Sequence, residues 1–205
     1  MKLYQSIGPN PRLVRMFLIE KGIELPSVEV DILTGENRQP AFLAINPAGG
    51  TPVLGLANGE ALAETTAICE YVEELHPQPP LIGSTPEERA RTRMWTRRVD
   101  LAVVQPMTQG FRAAEGLPMF KDRVRCLPQA ADDLKATARE GLAWLEAQLG
   151  DRPFIAGDRP TLADIVLYSF IEFGALVGQG LDPGHARLVA WRARMASRES
   201  AKATA

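Results

Sequence analysis

The run His76-Pro77-Gln78-Pro79-Pro80 constrains this chain more than any other feature of its sequence. Proline has no backbone N–H and a fixed φ, so neither a helix nor a central strand passes through a stretch this rich in it. The run therefore reads as a stiff linker. Before it, strand and helix signals alternate; from Thr85 onward strand signals nearly vanish and helix signals dominate. The expectation is two domains, a small α/β domain over 1–79 and an all-helical domain over 86–205. At about 100–200 residues per domain, a chain of this length holds one large domain or two small ones.

The first domain can be read from period and punctuation. Lys2-Leu3-Tyr4 is a short strand ending before Gly8-Pro9. A helix follows over 11–21: Asn10 is a favoured N-cap, Pro11 suits the first helical position, and Gly22 supplies the stop. Residues 27–32 alternate apolar and charged side chains, the period of a strand. Parallel pairing of these two strands would make a right-handed β-α-β unit. After an irregular stretch through Pro47-Ala48-Gly49-Gly50, residues 52–56 and 61–63 flank Asn58-Gly59, which predicts a hairpin with a two-residue turn. Ile68, Tyr71, Val72 and Leu75 then form one stripe of a helix over 65–75.

In the second domain, Pro86-Glu87-Glu88 opens a long helix, broken or kinked at Pro106. Another helix should run from Cys126 or Pro128 to Leu149. Thr161-Leu162-Ala163-Asp164 has the spacing of a capping box, with Asp in the place of the usual Glu or Gln. A last helix is expected over 183–197, and the Ala/Lys/Thr tail after it is expected to fray.

Composition narrows the partners. Lys and Arg number 23 against 25 Asp and Glu, a net charge of -2, so nothing favours nucleic acid or an anionic membrane. No window approaches the roughly 20 apolar residues of a membrane span, and the first residues lack the design of a secretion signal. A cytoplasmic protein is expected. Cys69 and Cys126 form no ligand-spaced cluster, so neither a metal site nor a dithiol motif is expected.

Three short pieces carry possible chemistry. Asn10 caps a helix, or, with Ser6, donates hydrogen bonds to an anion held at that positive helix end. Thr51-Pro52 precedes a strand; a cis bond there would turn the Thr51 backbone groups outward toward an extended, peptide-like ligand. Glu64-Thr65 precedes the next helix. It caps that helix, or Thr65 binds a carboxylate while Glu64 accepts from an ammonium group.

In this order and spacing the pieces resemble the thioredoxin-like N-terminal domain of the glutathione transferase superfamily, whose element order is β-α-β-α-β-β-α. The matching stretches are residues 2–22, Asn46-Pro47-Ala48-Gly49-Gly50-Thr51-Pro52-Val53-Leu54 and Ala63-Glu64-Thr65-Thr66-Ala67-Ile68. Residues 154–165 and Ala190-Trp191-Arg192-Ala193-Arg194-Met195 are similar to the family's all-α domain. The resemblance implies an enzyme with glutathione as cosubstrate. Thr51, beside a cis Pro52, would hold the cysteinyl part, and Glu64 and Thr65 the γ-glutamyl end. Ser6-Ile7-Gly8-Pro9-Asn10-Pro11-Arg12 occupies the place of the thiol-activating residue. The tyrosine of several animal classes could correspond only to Tyr4, and the cysteine of the beta and omega classes and the Ser-Ser-Cys run of the zeta class are absent. Asn10 falls where the beta class has its cysteine, as in nu-type bacterial members, and is favoured over Ser6. Gly50 stands where many members carry Lys or Gln, leaving Gln39 or Arg38 for the glycyl carboxylate. Without a catalytic cysteine, the thiolate would attack an electrophilic carbon, a peroxide or a disulfide. That second substrate would lie near Trp95, Val99, Val103 and Phe111, residues that by their type belong more often to a core. A homodimer is implied too. The same pieces would also suit a glutathione-fold binding or assembly module without turnover.

Overall fold

The computed structural model describes residues 1–205. It divides into two compact units, Met1–Leu81 with Glu199–Ala205, and Ile82–Arg198. The closing residues, placed in the helical domain by the sequence reading, thus group with the first unit.

The first unit is built on four short strands: β1 (Lys2–Gln5), β2 (Ser27–Glu29), β3 (Val53–Gly55) and β4 (Ala61–Leu62), in the order β2-β1-β3-β4. β1 and β2 are parallel, β1 and β3 antiparallel, and β3 and β4 antiparallel. The helices are α1 (Pro9–Glu20), α2 (Pro40–Leu43) and α3 (Thr65–Leu75), with one 3-10 turn at Glu36–Arg38. This is the expected β-α-β-α-β-β-α order. Leu13, Val14, Met16, Phe17 and Leu18 of α1 and Ile68, Cys69 and Val72 of α3 are buried. Each large apolar side chain so buried contributes about 1.5–3 kcal/mol.

Three local expectations need correction. β2 stops at Glu29, not at residue 32, because Asp31 turns its carboxylate onto the N–H groups of Leu33 and Thr34, at 2.9 and 3.2 Å, and the chain bends. The hairpin carries three residues at its tip instead of two: Leu56 N donates to Glu60 O at 2.8 Å, enclosing Ala57-Asn58-Gly59. The tail is not frayed. It forms α10 (Glu199–Ala203), in which Ser200 and Ala201 are buried. There Ser200 donates to Glu20 on α1 at 2.5 Å, and Arg12 reaches Thr204 Oγ1 and Ala201 O, both at 3.4 Å.

The linker is fixed from beneath. Lys21, fully buried at the end of α1, pairs with buried Glu73 of α3 and donates to the carbonyls of His76 and Pro79, each at 2.6 Å. A buried cation is tolerable only when its donors are all directed at acceptors, and here three are supplied.

The second unit contains α4 (Pro86–Val99), α5 (Gln105–Ala113), α6 (Leu117–Phe120), α7 (Ala131–Leu149), α8 (Leu162–Leu176) and α9 (Ala186–Ala196). Between α4 and α5, residues Asp100–Val104 are π-helical. The cause is Pro106, which has no N–H to give to the carbonyl of Ala102. That carbonyl lies against Gly141 of α7, 2.0 Å from where a Cβ would stand, so only glycine admits the approach. α8 is buried on every side from Leu162 to Ile171 and forms the centre of the unit. The predicted capping box opens it. Asp164 Oδ2 accepts from the N–H and hydroxyl of Thr161, both at 2.9 Å, while Oδ1 accepts from Ile155 N at 2.8 Å and Trp191 Nε1 at 2.9 Å. Burial lifts this carboxyl above its usual range against those four bonds. α9 begins at Ala186 and not at 183, because Asp182 and Gly184 close a turn before it and Glu146 of α7 accepts from Arg187 N and Leu188 N.

Candidate active site

Strand direction brings the sequence candidates to one edge of the sheet. β1 and β4 each run antiparallel to β3, so the carboxyl ends of β1 and β4 and the amino end of β3 lie together. Ser6 follows β1, Thr51 precedes β3, and Glu64-Thr65 follows β4.

Ser6 and Thr51 meet. Tyr4 pairs with Val53, and the same register carried outward sets Ser6 opposite Thr51. Their hydroxyl oxygens are 2.5 Å apart, and Ser6 Oγ also donates to Ile7 O at 3.1 Å. Ser6 is only 3% exposed. The Thr51-Pro52 peptide is cis, the isomer that the resemblance implies.

Asn10 stands elsewhere than expected. α1 begins two residues early: Gly8, at φ 112, takes the cap position, which favours glycine, and Pro9 the first helical place. Asn10 is therefore at the second helical position, exposed, and caps nothing. The two prolines also thin out this helix end. Of the four N–H groups that a helix start leaves free, Pro9 and Pro11 lack theirs, so only Gly8 and Asn10 offer one.

α3 starts differently. Glu64 is its cap residue, at φ 70 and ψ 120, the one non-glycine residue of the chain with positive φ. Its side chain makes no capping bond, so of the two readings of this pair the cap is absent, and the N–H groups at this helix start remain open. Thr65 is the first helical residue. A positive-φ glutamate costs roughly 1–3 kcal/mol, a strain that clusters at functional sites.

The loop leading into Thr51 is held by two asparagines that the sequence did not mark and by Arg38, the alternative to Gln39 for the glycyl carboxylate, whose guanidinium is turned onto the loop backbone. Asn37 Nδ2 donates to Gly49 O at 2.6 Å, Asn46 Nδ2 to Gly50 O at 2.8 Å, and Arg38 Nη1 to Ala48 O at 3.2 Å. Asn46 precedes a proline, a turn signal that could have drawn notice; Asn37 carried none. Gln39 stands exposed at the cap position of α2 without a capping bond, and its side chain makes no hydrogen bond to the other candidates. Beneath the end of β1, Arg15 of α1 donates to Gln5 Oε1 at 3.1 Å and to Ser6 O at 3.4 Å.

Other residues are occupied with packing. The Tyr4 ring sits edge-on to Phe42, under the Lys2 ammonium, and beside Gly55, toward the opposite end of the strand. Cys69 is fully buried, and burial, with Glu73 and Glu70, pushes its thiol well above the ordinary range, so it remains protonated. In the second unit Val99 and Val103 are wholly buried, Trp95 stacks with Trp144 and the guanidinium groups of Arg98 and Arg152, and Phe111 meets Phe120 and Phe173 edge to face.

The sheet edge thus offers two hydroxyl groups, an open helix start and an exposed carboxylate, a set able to hold a peptide-like zwitterion and a small anion. Residues 3–80 match the family model described as the N-terminal domain of glutathione S-transferase, and residues 128–194 the model of its C-terminal domain. Glutathione S-transferase 2 of Saccharomyces cerevisiae is 34% identical over 202 residues, covering 95% of this chain and 84% of the yeast protein. Maleylacetoacetate isomerase of Pseudomonas aeruginosa is 36% identical over 185 residues, covering 89% of this chain and 85% of that protein. The crystal structure of Gtt2 from Saccharomyces cerevisiae superposes over all of both chains with a TM-score of 0.93 at 32% identity. Likeness at this identity across nearly the full length, with both halves matched in order, makes the chain a member of the glutathione S-transferase family.

Proposed function

We propose that this glutathione transferase binds its cosubstrate at the sheet edge formed by Ser6, Thr51, Glu64 and Thr65, and that Ser6, not Asn10, hydrogen-bonds the sulfur. The enzyme activates the glutathione thiol for attack on an electrophilic carbon, a peroxide or a disulfide. The observation that carries the assignment is the buried Ser6 hydroxyl 2.5 Å from that of Thr51, at the start of the cis Thr51-Pro52 peptide. On binding, the Ser6 hydroxyl turns from Ile7 O to the sulfur and stabilises its anionic form. The thiol proton passes to solvent. A free thiol has a pKa of about 8.5, and each unit of lowering stabilises the thiolate by about 1.4 kcal/mol. Thr51 backbone groups hold the cysteinyl part, the α3 start and Thr65 take the γ-glutamyl carboxylate, Glu64 takes its ammonium, and Gln39 faces the glycyl carboxylate.

Titration of bound glutathione, followed by thiolate absorbance, tests the assignment. Ser6→Ala should move the curve up by about one pH unit or more, since a hydrogen bond to the charged form is lost. Asn10→Ala, which removes no cap, should leave it in place. The reverse pattern would transfer the role to Asn10.

A homodimer is supported by complementary faces. α3 exposes Glu74 and Leu75, with Glu70 and Tyr71 half-buried, an acidic and apolar surface. α4 exposes Met94 beside Arg91 and Arg98, with Leu101 following, a basic and apolar one. Two-fold pairing would let each α3 meet its partner's α4. Sedimentation should give a dimer at micromolar concentration that weakens with salt; a monomer at low salt would refute it. No helix is long and apolar enough to cross a membrane. Detoxification of small electrophiles in the cytoplasm is the role that fits this chemistry.

A further inference from the structure

Arg15 lies on the second turn of α1, half-buried beneath the end of β1. Its guanidinium touches two neutral oxygens, Gln5 Oε1 at 3.1 Å and Ser6 O at 3.4 Å. The carboxylate that acts on it most, Glu29, is reached only through the Gln5 amide, whose Nε2 donates to Glu29 Oε1 at 2.5 Å. Arg12, on the same helix, adds a like charge. Burial depresses the Arg15 pKa; Glu29 opposes the shift and Arg12 reinforces it. A guanidinium nevertheless keeps its proton in proteins, so the charge persists, partly desolvated and without a carboxylate in contact. The acceptor at 3.4 Å belongs to the residue whose hydroxyl faces Thr51. An anion placed at that hydroxyl would complete the missing charge balance.

We infer that Arg15 is a positioning residue for thiol activation: it fixes the Ser6 backbone and supplies, from below the strand end, the positive charge that the glutathione thiolate neutralises. No bond to sulfur is needed. The field of the cation favours the anion over the thiol, and the proton leaves to solvent. Glu64, at the same sheet edge, and Glu29 act in the opposite sense, so Arg15 is the cation that offsets them.

The inference rests on the placement of glutathione at this edge, and its test separates the two. Arg15→Met and Arg15→Lys are compared with the unchanged enzyme by two measurements, calorimetric affinity for S-methylglutathione, which has no ionisable thiol, and the thiolate absorbance titration of bound glutathione. Arg15→Met should bind S-methylglutathione within about threefold of the unchanged enzyme, while its thiolate titration moves up by about one pH unit, a tenfold loss of thiolate below the transition. Arg15→Lys, which keeps the charge, should recover at least half of that shift. Two results overturn the inference: a titration that stays in place in Arg15→Met, or an Arg15→Lys shift as large as that of Arg15→Met. If Arg15→Met does not fold, Arg15→Lys against Arg15→Gln decides by the same criterion. Failure of the site itself has a different signature, S-methylglutathione affinity in the unchanged enzyme that Glu64→Ala does not alter.

Discussion

Two helix starts in this molecule have opposite fates. At α8, Thr161 and Asp164 close the amino end from both sides, and Asp164 also gathers Ile155 N and Trp191 Nε1 into one fully buried hub. At α3, Glu64 occupies the cap position with φ 70, makes no capping bond and leaves its carboxylate in solvent. A side chain that satisfies a helix start excludes a ligand from it; a start left open at the cost of backbone strain is available to bind one. The fold spends its best cap where a core is assembled and withholds it where glutathione is proposed to sit.

Substitutions at the two starts should therefore separate stability from binding. The largest effect is expected from Asp164→Ala, which strands the buried donors Ile155 N, Thr161 N and Trp191 Nε1. At about 1–3 kcal/mol for each unsatisfied group, urea denaturation should show a loss exceeding 3 kcal/mol. A loss below 1 kcal/mol would mean that the hub is not what closes α8. Next, Glu64→Ala should weaken glutathione by about 2–5 kcal/mol if the carboxylate pairs with a desolvated ammonium, with stability nearly unchanged. Calorimetric affinity within twofold of the unchanged enzyme would remove Glu64 from the site. The smallest effect sharpens the contrast most: Glu64→Gly should raise stability by about 1 kcal/mol, because glycine accepts the positive φ freely, while glutathione binding falls as in Glu64→Ala. A destabilised Glu64→Gly would show that the unusual backbone is not strained.

Elements whose signals are local were legible in the sequence. Residues 65–75 form α3 as expected, and the spacing of Thr161 and Asp164 announced the capping box. The partners of these elements were not. Trp191 reaches Asp164 from 27 residues away, and the Ser6–Thr51 contact spans 45, set by a strand register that no run of side chains encodes. The start of α1 was ambiguous for a simpler reason. Gly8-Pro9 and Asn10-Pro11 are each an acceptable cap followed by proline, and helix propensity cannot choose between two such starts set two residues apart. Choosing the later one moved Asn10 into a role that the earlier start denies it. The tail, a short compositionally simple segment, is expected from its sequence to fray as termini do; contact with α1 is what holds it.

The same tail bears on how the protein is made. Residue 204 touches residue 12 across 192 positions of sequence. Domains emerging from the ribosome generally fold in order, amino end first, at about 5–20 residues per second. Here the first unit cannot acquire its own last helix until all of Ile82–Arg198 has been synthesised. During that interval Arg12 and Glu20 of α1 wait for the partners that Thr204, Ala201 and Ser200 will give them. The nascent chain can thus form its sheet and its second unit while α1 still waits for α10, which makes the contacts of Arg12 and Glu20 with the tail late events of biosynthesis.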